Sequence, residues 1–301
     1  MSRRRLPTFR QRLALGFRRL LHGRTALGIH VADHEIVAVR LADRSGRVAV
    51  TGYARESVTA GDPHAALCAV AARRRLRAEG TAVSIGGERV ATCVGTMPRM
   101  TDDELVNAAK YEVWRCGNAE VDEVCYDSAK IEDAGEEMEV LLATAHHSIV
   151  LQRSDACAAA GLDATSLCPD SLALAKALRL SGARPGRIAV CDIGPQRIAL
   201  HVLDAMRTRR ALEMPRGDED GLAARISAAI GGIDELLVCG SAPMNLDIPG
   251  VKTSRWNPVA QLQIKLRRDE ARDLETQPCR AAVALGVAAN RLWPWINLAP
   301  V

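Results

Sequence analysis

Residues 187–203 set the pattern of apolar and polar positions for the whole chain. Ile188, Ala189, Val190 and Cys191 form an apolar run that reaches Asp192, turns through Ile193-Gly194-Pro195-Gln196, and returns as Ile198-Ala199-Leu200-His201-Val202-Leu203. Such runs joined by a Gly-Pro turn predict a strand, a tight turn and an antiparallel strand. Residues 26–31 and 35–41 repeat the pattern, and a polar turn at 43–47 leads to a third strand at 48–53. A helix over 63–79, closed by Gly80, follows. Strands at 82–85 and 90–94 flank Gly86-Gly87, and Thr101-Asp102-Asp103-Glu104 is a capping box that opens a helix over 102–115. That helix places Leu105, Ala108, Ala109 and Val113 on one face. Further strands are expected at 123–131, 139–145 and 164–167, with a polar loop at 132–137 and helices over 148–160 and 171–180. Turn formers at 181–186 make the best linker. The opening hairpin then continues into a strand at 208–213, a helix over 218–230 and a strand at 235–239 that runs into Gly240-Ser241-Ala242-Pro243. A charged stretch at 265–275, a helix over 279–289 and an apolar tail complete the chain.

The meander followed by a helix occurs twice, at 26–79 and 187–231. Two copies of this α/β unit, the second leading into a Gly-Ser loop, are the plan of a duplicated actin-like (ribonuclease H-like) fold.

Composition narrows the function classes. At 301 residues, 48% hydrophobic and 25% charged, the chain has the balance of a globular protein with room for two domains. No apolar run is long enough to span a membrane, and the basic start lacks the apolar region and cleavage site of a secretory signal, so the expected location is cytoplasmic. Nine cysteines without a C-x-x-C pair read as small core hydrophobes in a reducing compartment. No metal site is expected, since His30 and His34 are four apart on a turn or strand and not on a helix face. Aromatic residues at 3% argue against base-stacking modules, so no nucleic-acid partner is expected.

The net charge of +4 hides a division. Residues 1–24 carry eight arginines and no acid, and the remainder holds 32 basic against 36 acidic residues. Leu6, Phe9, Leu13, Phe17, Leu20 and Leu21 recur at helical spacing between those arginines, which predicts a basic amphipathic helix. Arg3, Arg4, Arg5, Phe9, Leu13 and Phe17 are its candidate contacts with an anionic membrane surface, where each basic residue contributes about 1 kcal/mol. A helix packed on the body of the protein, or a disordered arm, accounts for the same residues.

Six segments carry a resemblance to a known family. They are Val94-Gly95-Thr96-Met97-Pro98 with Thr101-Asp102-Asp103-Glu104-Leu105, Ala109-Lys110-Tyr111-Glu112, Val121-Asp122-Glu123-Val124-Cys125-Tyr126-Asp127, Ala159-Ala160-Gly161-Leu162, Val190-Cys191-Asp192-Ile193-Gly194 and Ala282-Val283-Ala284-Leu285-Gly286. In that order, over about residues 26–290, the chain is similar to the PilM family, the cytoplasmic actin-like proteins of type IV pilus assembly. After the basic helix at 1–24, the resemblance implies a first actin-like domain at 25–182 with an inserted α+β subdomain at about 81–150. The second domain at 187–290 departs from the family in length, since only about 45 residues separate Asp192 from Gly240, and a tail at 291–301 follows. The implied role is a cytoplasmic adaptor at the inner membrane, of a pilus or a related secretion platform. Its implied partner is a PilN-like membrane protein whose cytoplasmic tail, an extended peptide of Ile-Asn-Leu-Leu-Pro type, docks in a groove of the first domain. Met97, Tyr111, Val113 and Trp114 are candidate groove residues, and ordinary core or helix-surface positions are the favoured alternative for each one taken singly. Self-association stays open.

Nucleotide-binding members of such a fold have two acidic phosphate loops and an adenosine-side glycine loop. Asp192, Gly194, Gly240 and Ser241 stand where the second phosphate loop and the adenosine loop would be, so ATP with Mg is a possible cofactor. The first loop departs: His30 replaces an acidic residue, Ala32 adds a Cβ where backbone meets phosphate, and Val37 replaces a cation. Pro195 removes one N–H from the second loop. These changes favour a degenerate, non-hydrolysing site with no catalytic residue and no required cofactor. The alternative is an active actin-like ATPase or phosphotransferase. Trp295-Ile296-Asn297-Leu298-Ala299-Pro300 resembles the partner peptide itself. Either the tail competes for the partner groove, or the likeness is coincidental.

Overall fold

The computed structural model describes residues 24–299 except 60, 118 and 183–185. The candidate membrane contacts Arg3, Arg4, Arg5, Phe9, Leu13 and Phe17 therefore lie outside the described residues. Strands β1 (Arg24–Val31), β2 (Glu35–Arg44) and β3 (Arg47–Ser57) pair antiparallel in sequence order. Residues Ile36–Val39 are all buried because elements pack on both sheet faces, which explains the continuous apolar run. Helix α1 (His64–Ala72) is shorter than the expected 63–79, and a 3-10 turn (Arg74–Leu76) replaces its end. Arginines at 73, 74, 75 and 77 disfavour a continued helix, and Leu76 turns inward to bury against the sheet.

β4 (Thr81–Ile85) runs parallel to β1, and β8 (Ala164–Pro169) parallel to β4; with β14 (Gln263–Ile264) beside β3 they give a six-stranded sheet β14-β3-β2-β1-β4-β8. Between β4 and β8 the chain forms β5 (Val90–Pro98), α2 (Asp102–Gly117), β6 (Val124–Ala134), β7 (Glu137–His146) and α3 (His147–Ala159). The first of these strands build a separate sheet, β5-β7-β6, with α2 on it. β4, which the expected insertion at 81–150 included, belongs to the main sheet. The expected polar loop at 132–137 is a tight hairpin turned by Gly135 at φ +70. The capping box forms as read: the Glu104 carboxylate accepts the Thr101 N–H at 2.8 Å and the Thr101 hydroxyl accepts the Glu104 N–H at 3.4 Å.

The second sheet repeats the first. β9 (Arg187–Ile193), β10 (Arg197–Asp204) and β11 (Arg207–Pro215) form a meander, α5 (Leu222–Ile230) follows, and β12 (Glu235–Cys239) and β13 (Lys252–Arg255) add in parallel. Its order, β11-β10-β9-β12-β13, matches β3-β2-β1-β4-β8. Among the described residues this half has no counterpart of the three-stranded sheet, so it is the shortened copy.

Helices α4 (Asp170–Leu180) and α7 (Ala282–Leu292) join the halves, with α6 (Arg268–Thr276) and the two-residue strand β14 (Gln263–Ile264) before α7. The sequence reading gave 282–290 to the second domain, but α7 packs on β1, β2, β4 and α4 of the first half. Its run of Ala, Val, Leu and Gly is buried on all sides, and only small residues permit that approach. A Cβ at Gly286 would stand 1.8 Å from the Ala173 carbonyl oxygen, and one at Gly28 would stand 2.2 Å from that of Ala284.

Candidate functional site: a cleft closed by Arg197

β1 and β9 occupy equivalent central positions and end at the same cleft, carrying His30 and Asp192 to its floor. Asp170, the first residue of α4, and Glu213, on β11, join them. Three carboxylates in a buried space need a cation, and the chain supplies its own. Arg197, at the start of β10, points its guanidinium among Asp33 at 3.6 Å, Glu213 at 3.8 Å and Asp170 at 3.9 Å. His30 Nε2 lies 3.8 Å from Asp170 Oδ2. Gly86 permits this crowding, since a Cβ there would fall 2.5 Å from Asp170 and 2.6 Å from both Arg197 and Glu213. The Gly87 N–H donates to Glu213 Oε2 at 2.7 Å, and the Cys239 thiol to Asp192 Oδ1 at 3.7 Å.

Burial raises Asp192 to about 6, with His30 opposing and Asp170 adding to the rise. Burial likewise raises Glu213 to about 8, again with Asp170 adding. For Arg197 burial acts downward, but Asp170, Glu213 and Asp33 outweigh it, so the net shift is upward and the guanidinium stays charged.

The structure brings the predicted residues together without leaving them free for phosphate. Asp192, Gly194 and Ser241 line the cleft. The Gly194 N–H already donates to the Arg197 carbonyl at 2.9 Å, closing the hairpin. Gly240, at φ +103, donates its N–H to the Cys279 carbonyl at 3.3 Å, and a Cβ there would lie 2.5 Å from Ile193 O. Close loop packing, not ligand approach, accounts for that glycine. The remaining cavity is about 30 Å³, room for about one water, whereas small-molecule sites run to about 300–1,000 Å³. A cation stands in the acidic pocket, the N–H groups of Gly194 and Gly240 are engaged, and Pro195 has none. A separate cavity of about 350 Å³ opens beyond Ser241, between Trp256, Gln277 and Arg280.

Arg197, Asp170 and Glu213 escaped the sequence reading. Asp170 follows Pro169 at a helix start and Arg197 follows the Gly194-Pro195 turn, positions that read equally as a solvated helix end and a turn.

The candidate partner residues separate into two kinds. Met97, at 9% exposure, packs with Leu105, Met138 and Val140, and Val113, fully buried, packs with Ala119 and Val124. Neither presents a surface to a partner. Tyr111 at 84% and Trp114 at 55% project from α2 into solvent.

Two sheets of one topology, two joining helices and a cleft at their facing ends define the duplicated actin-like fold, with an inserted α+β subdomain and a shortened second half. No protein-family model and no curated protein matches the chain. Among solved structures, it is similar to a PilM-PilN type IV pilus biogenesis complex, with TM-score 0.71 and 19% identity over 89% of this chain and 99% of that one. It is also similar to the cytoplasmic domain of EpsL, an inner-membrane component of the type II secretion system of Vibrio cholerae, with TM-score 0.52 and 14% identity over 91% of this chain and 97% of that one. The fold is PilM-like.

Proposed function

We propose that the chain is a cytoplasmic adaptor of a type IV pilus or related secretion platform at the inner membrane, and that it binds a PilN-like partner without turning over nucleotide. Arg197 carries the second half of this reading. A fold built to hold a Mg-nucleotide has here a guanidinium among Asp33, Asp170 and Glu213 in a cavity of about 30 Å³. The first half is supported by the likeness in fold to the PilM-PilN complex and to the EpsL cytoplasmic domain. No helix among the described residues is long and apolar enough to cross a membrane. Affinity purification of the chain from solubilised membranes tests the reading. The expected companion is a membrane protein with a short cytoplasmic N-terminal segment of Ile-Asn-Leu-Leu-Pro type, and recovery of the chain alone counts against it.

A basic cavity favours an anionic surface as a second contact. It measures about 1490 Å³ and is lined by Arg40, Arg44, Arg47, Arg77 and Lys265 against a single acid, Glu79, with Thr25 of β1 among the remaining lining residues. In the sequence, the arginine-rich residues 1–24 come immediately before Thr25. Co-sedimentation with phosphatidylglycerol vesicles, lost at high salt and on deleting residues 1–24, is the expected behaviour.

A further inference from the structure

The three-stranded sheet and its helix bring two cysteines from different elements to one place. Alternate residues of β5 face α2: Met97 packs there with Met138 and Val140 of β7 and with Leu105 of α2. Cys93 stands on that same face, directly opposite Leu142 in the pairing of β5 with β7. Cys116 reaches the spot from the last turn of α2. Its sulfur lies 3.5 Å from the Leu142 carbonyl oxygen and within hydrogen-bonding reach of the Cys93 sulfur. Gly117 permits the approach, since a Cβ there would fall 2.7 Å from Thr144 Oγ1 and 3.7 Å from Ala91 Cβ, and Ala91 and Thr144 are the next pair along the same face. Both cysteines are half-buried, open to a small solute, whereas Cys157, Cys168, Cys191, Cys239 and Cys279 are enclosed.

The pair is asymmetric. Accepting the Cys116 S–H stabilises the Cys93 thiolate and holds that thiol below its ordinary range; burial and Glu112 oppose this, and Arg115 assists. Cys116, as the donor to Cys93, is pushed up, and burial adds to the rise. Burial pushes up the thiols of Cys125, Cys157, Cys168, Cys191, Cys239 and Cys279. The thiolate is the nucleophile toward oxidants. A thiol that ionises readily thus stands against one that keeps its proton, which is the order of a reactive cysteine and its resolving partner.

We propose that Cys93 and Cys116 are a peroxide-oxidation site that closes a disulfide between β5 and the end of α2. The Cys93 thiolate attacks one oxygen of hydrogen peroxide, the O–O bond breaks, and the departing hydroxide takes up a proton as water, leaving Cys93 a sulfenic acid. The Cys116 sulfur then gives up its proton and attacks the Cys93 sulfur; the S–O bond breaks, and the hydroxide leaves with that proton as a second water. Two thiols and one peroxide become one disulfide and two waters. The bond pins the C-terminal turn of the helix from which Tyr111 and Trp114 project, and a thiol reductant releases it. The site does not depend on the adaptor role.

The test is peptide mapping by mass spectrometry of the full chain after hydrogen peroxide, with the remaining thiols blocked by iodoacetamide before trypsin. The expected product joins peptides 90–99 and 116–130, less two hydrogens, and disappears on reduction. Peptide 116–130 also holds Cys125, so a Cys125→Ser variant must keep the link. Cys116→Ser leaves the sulfenic acid unresolved, and dimedone labelling at Cys93 is expected to rise about tenfold over the parent; Cys93→Ser is expected to give neither the link nor a label at Cys116. A parent chain in which peroxide leaves Cys93 a free thiol, a link lost in Cys125→Ser, or dimedone labelling unchanged by Cys116→Ser overturns the proposal. Should a serine variant lose its circular dichroism spectrum, alkylation of the folded parent takes its place: Cys93 reacting with iodoacetamide about tenfold faster than Cys116 supports the pair, and equal rates overturn it.

Discussion

Replacing Arg197 by Met removes the guanidinium that faces Asp33, Asp170 and Glu213 while keeping most of the side-chain volume. At separations of 3.6 to 3.9 Å, a unit pair is worth about 4 kcal/mol at an effective dielectric of about 20. Desolvation and repulsion among the acids offset much of that sum, and removing one partner of a buried ion pair costs about 3–5 kcal/mol. With a quarter of the Arg197 side chain exposed, the expected loss is at the lower end, about 3 kcal/mol at pH 8.5. The loss depends on pH. Burial pushes the Glu213 carboxyl up to about 8 from its ordinary 4.5, so the folded chain holds more protons than the unfolded chain across that window, and stability falls as pH rises through it. Without Arg197 the carboxyl is harder still to ionise, and the fall steepens. At pH 6, where Glu213 is already protonated, the loss shrinks to about 1–2 kcal/mol, because fewer charges are left without their partner. Urea unfolding at both pH values, followed by far-ultraviolet circular dichroism, measures this. A variant within about 0.5 kcal/mol of the parent at both pH values, the range of an ordinary surface change, refutes the electrostatic account of the cleft.

Glu213→Gln keeps an acceptor for the Gly87 N–H and removes the titration, so the decline in stability from pH 6 to 8.5 should flatten in the same assay; an unchanged decline places the titrating group elsewhere. Gly286→Ala puts a methyl 1.8 Å from the Ala173 carbonyl oxygen, where both backbones belong to packed helices, and should cost about 3 kcal/mol or prevent folding. Tyr111→Ala and Trp114→Ala should each leave stability within about 0.5 kcal/mol of the parent, and Val113→Ala should lower it by about 1–2 kcal/mol through the cavity it leaves, all read from thermal melts.

The paired meanders were legible because both strands of each hairpin are apolar between clear turn formers, and the capping box located α2 to within two residues at its end. The edge strands were not. β13 reads Lys252-Thr253-Ser254-Arg255 and β14 is two exposed residues, so neither carries an apolar signature. Helix α6 looked like a charged stretch because Leu274 is its one buried residue. The apolar run of α7 announces a buried helix but cannot say which sheet it lies on, and so it was placed in the wrong half. At the cleft, Asp192 and Gly240 stood out as motif residues. Arg197, Asp170 and Glu213 meet there only because β10, α4 and β11 converge, and single charges at element ends look like ordinary solvated positions. Their proximity lies in the topology and not in any local spacing.

Isothermal titration of the chain with an Ile-Asn-Leu-Leu-Pro peptide, in the presence and absence of Mg-ATP, tests the central claim most directly. The account predicts heat from the peptide in both conditions, with the same affinity, and none from Mg-ATP alone. Binding and turnover of Mg-ATP with no response to the peptide would contradict it.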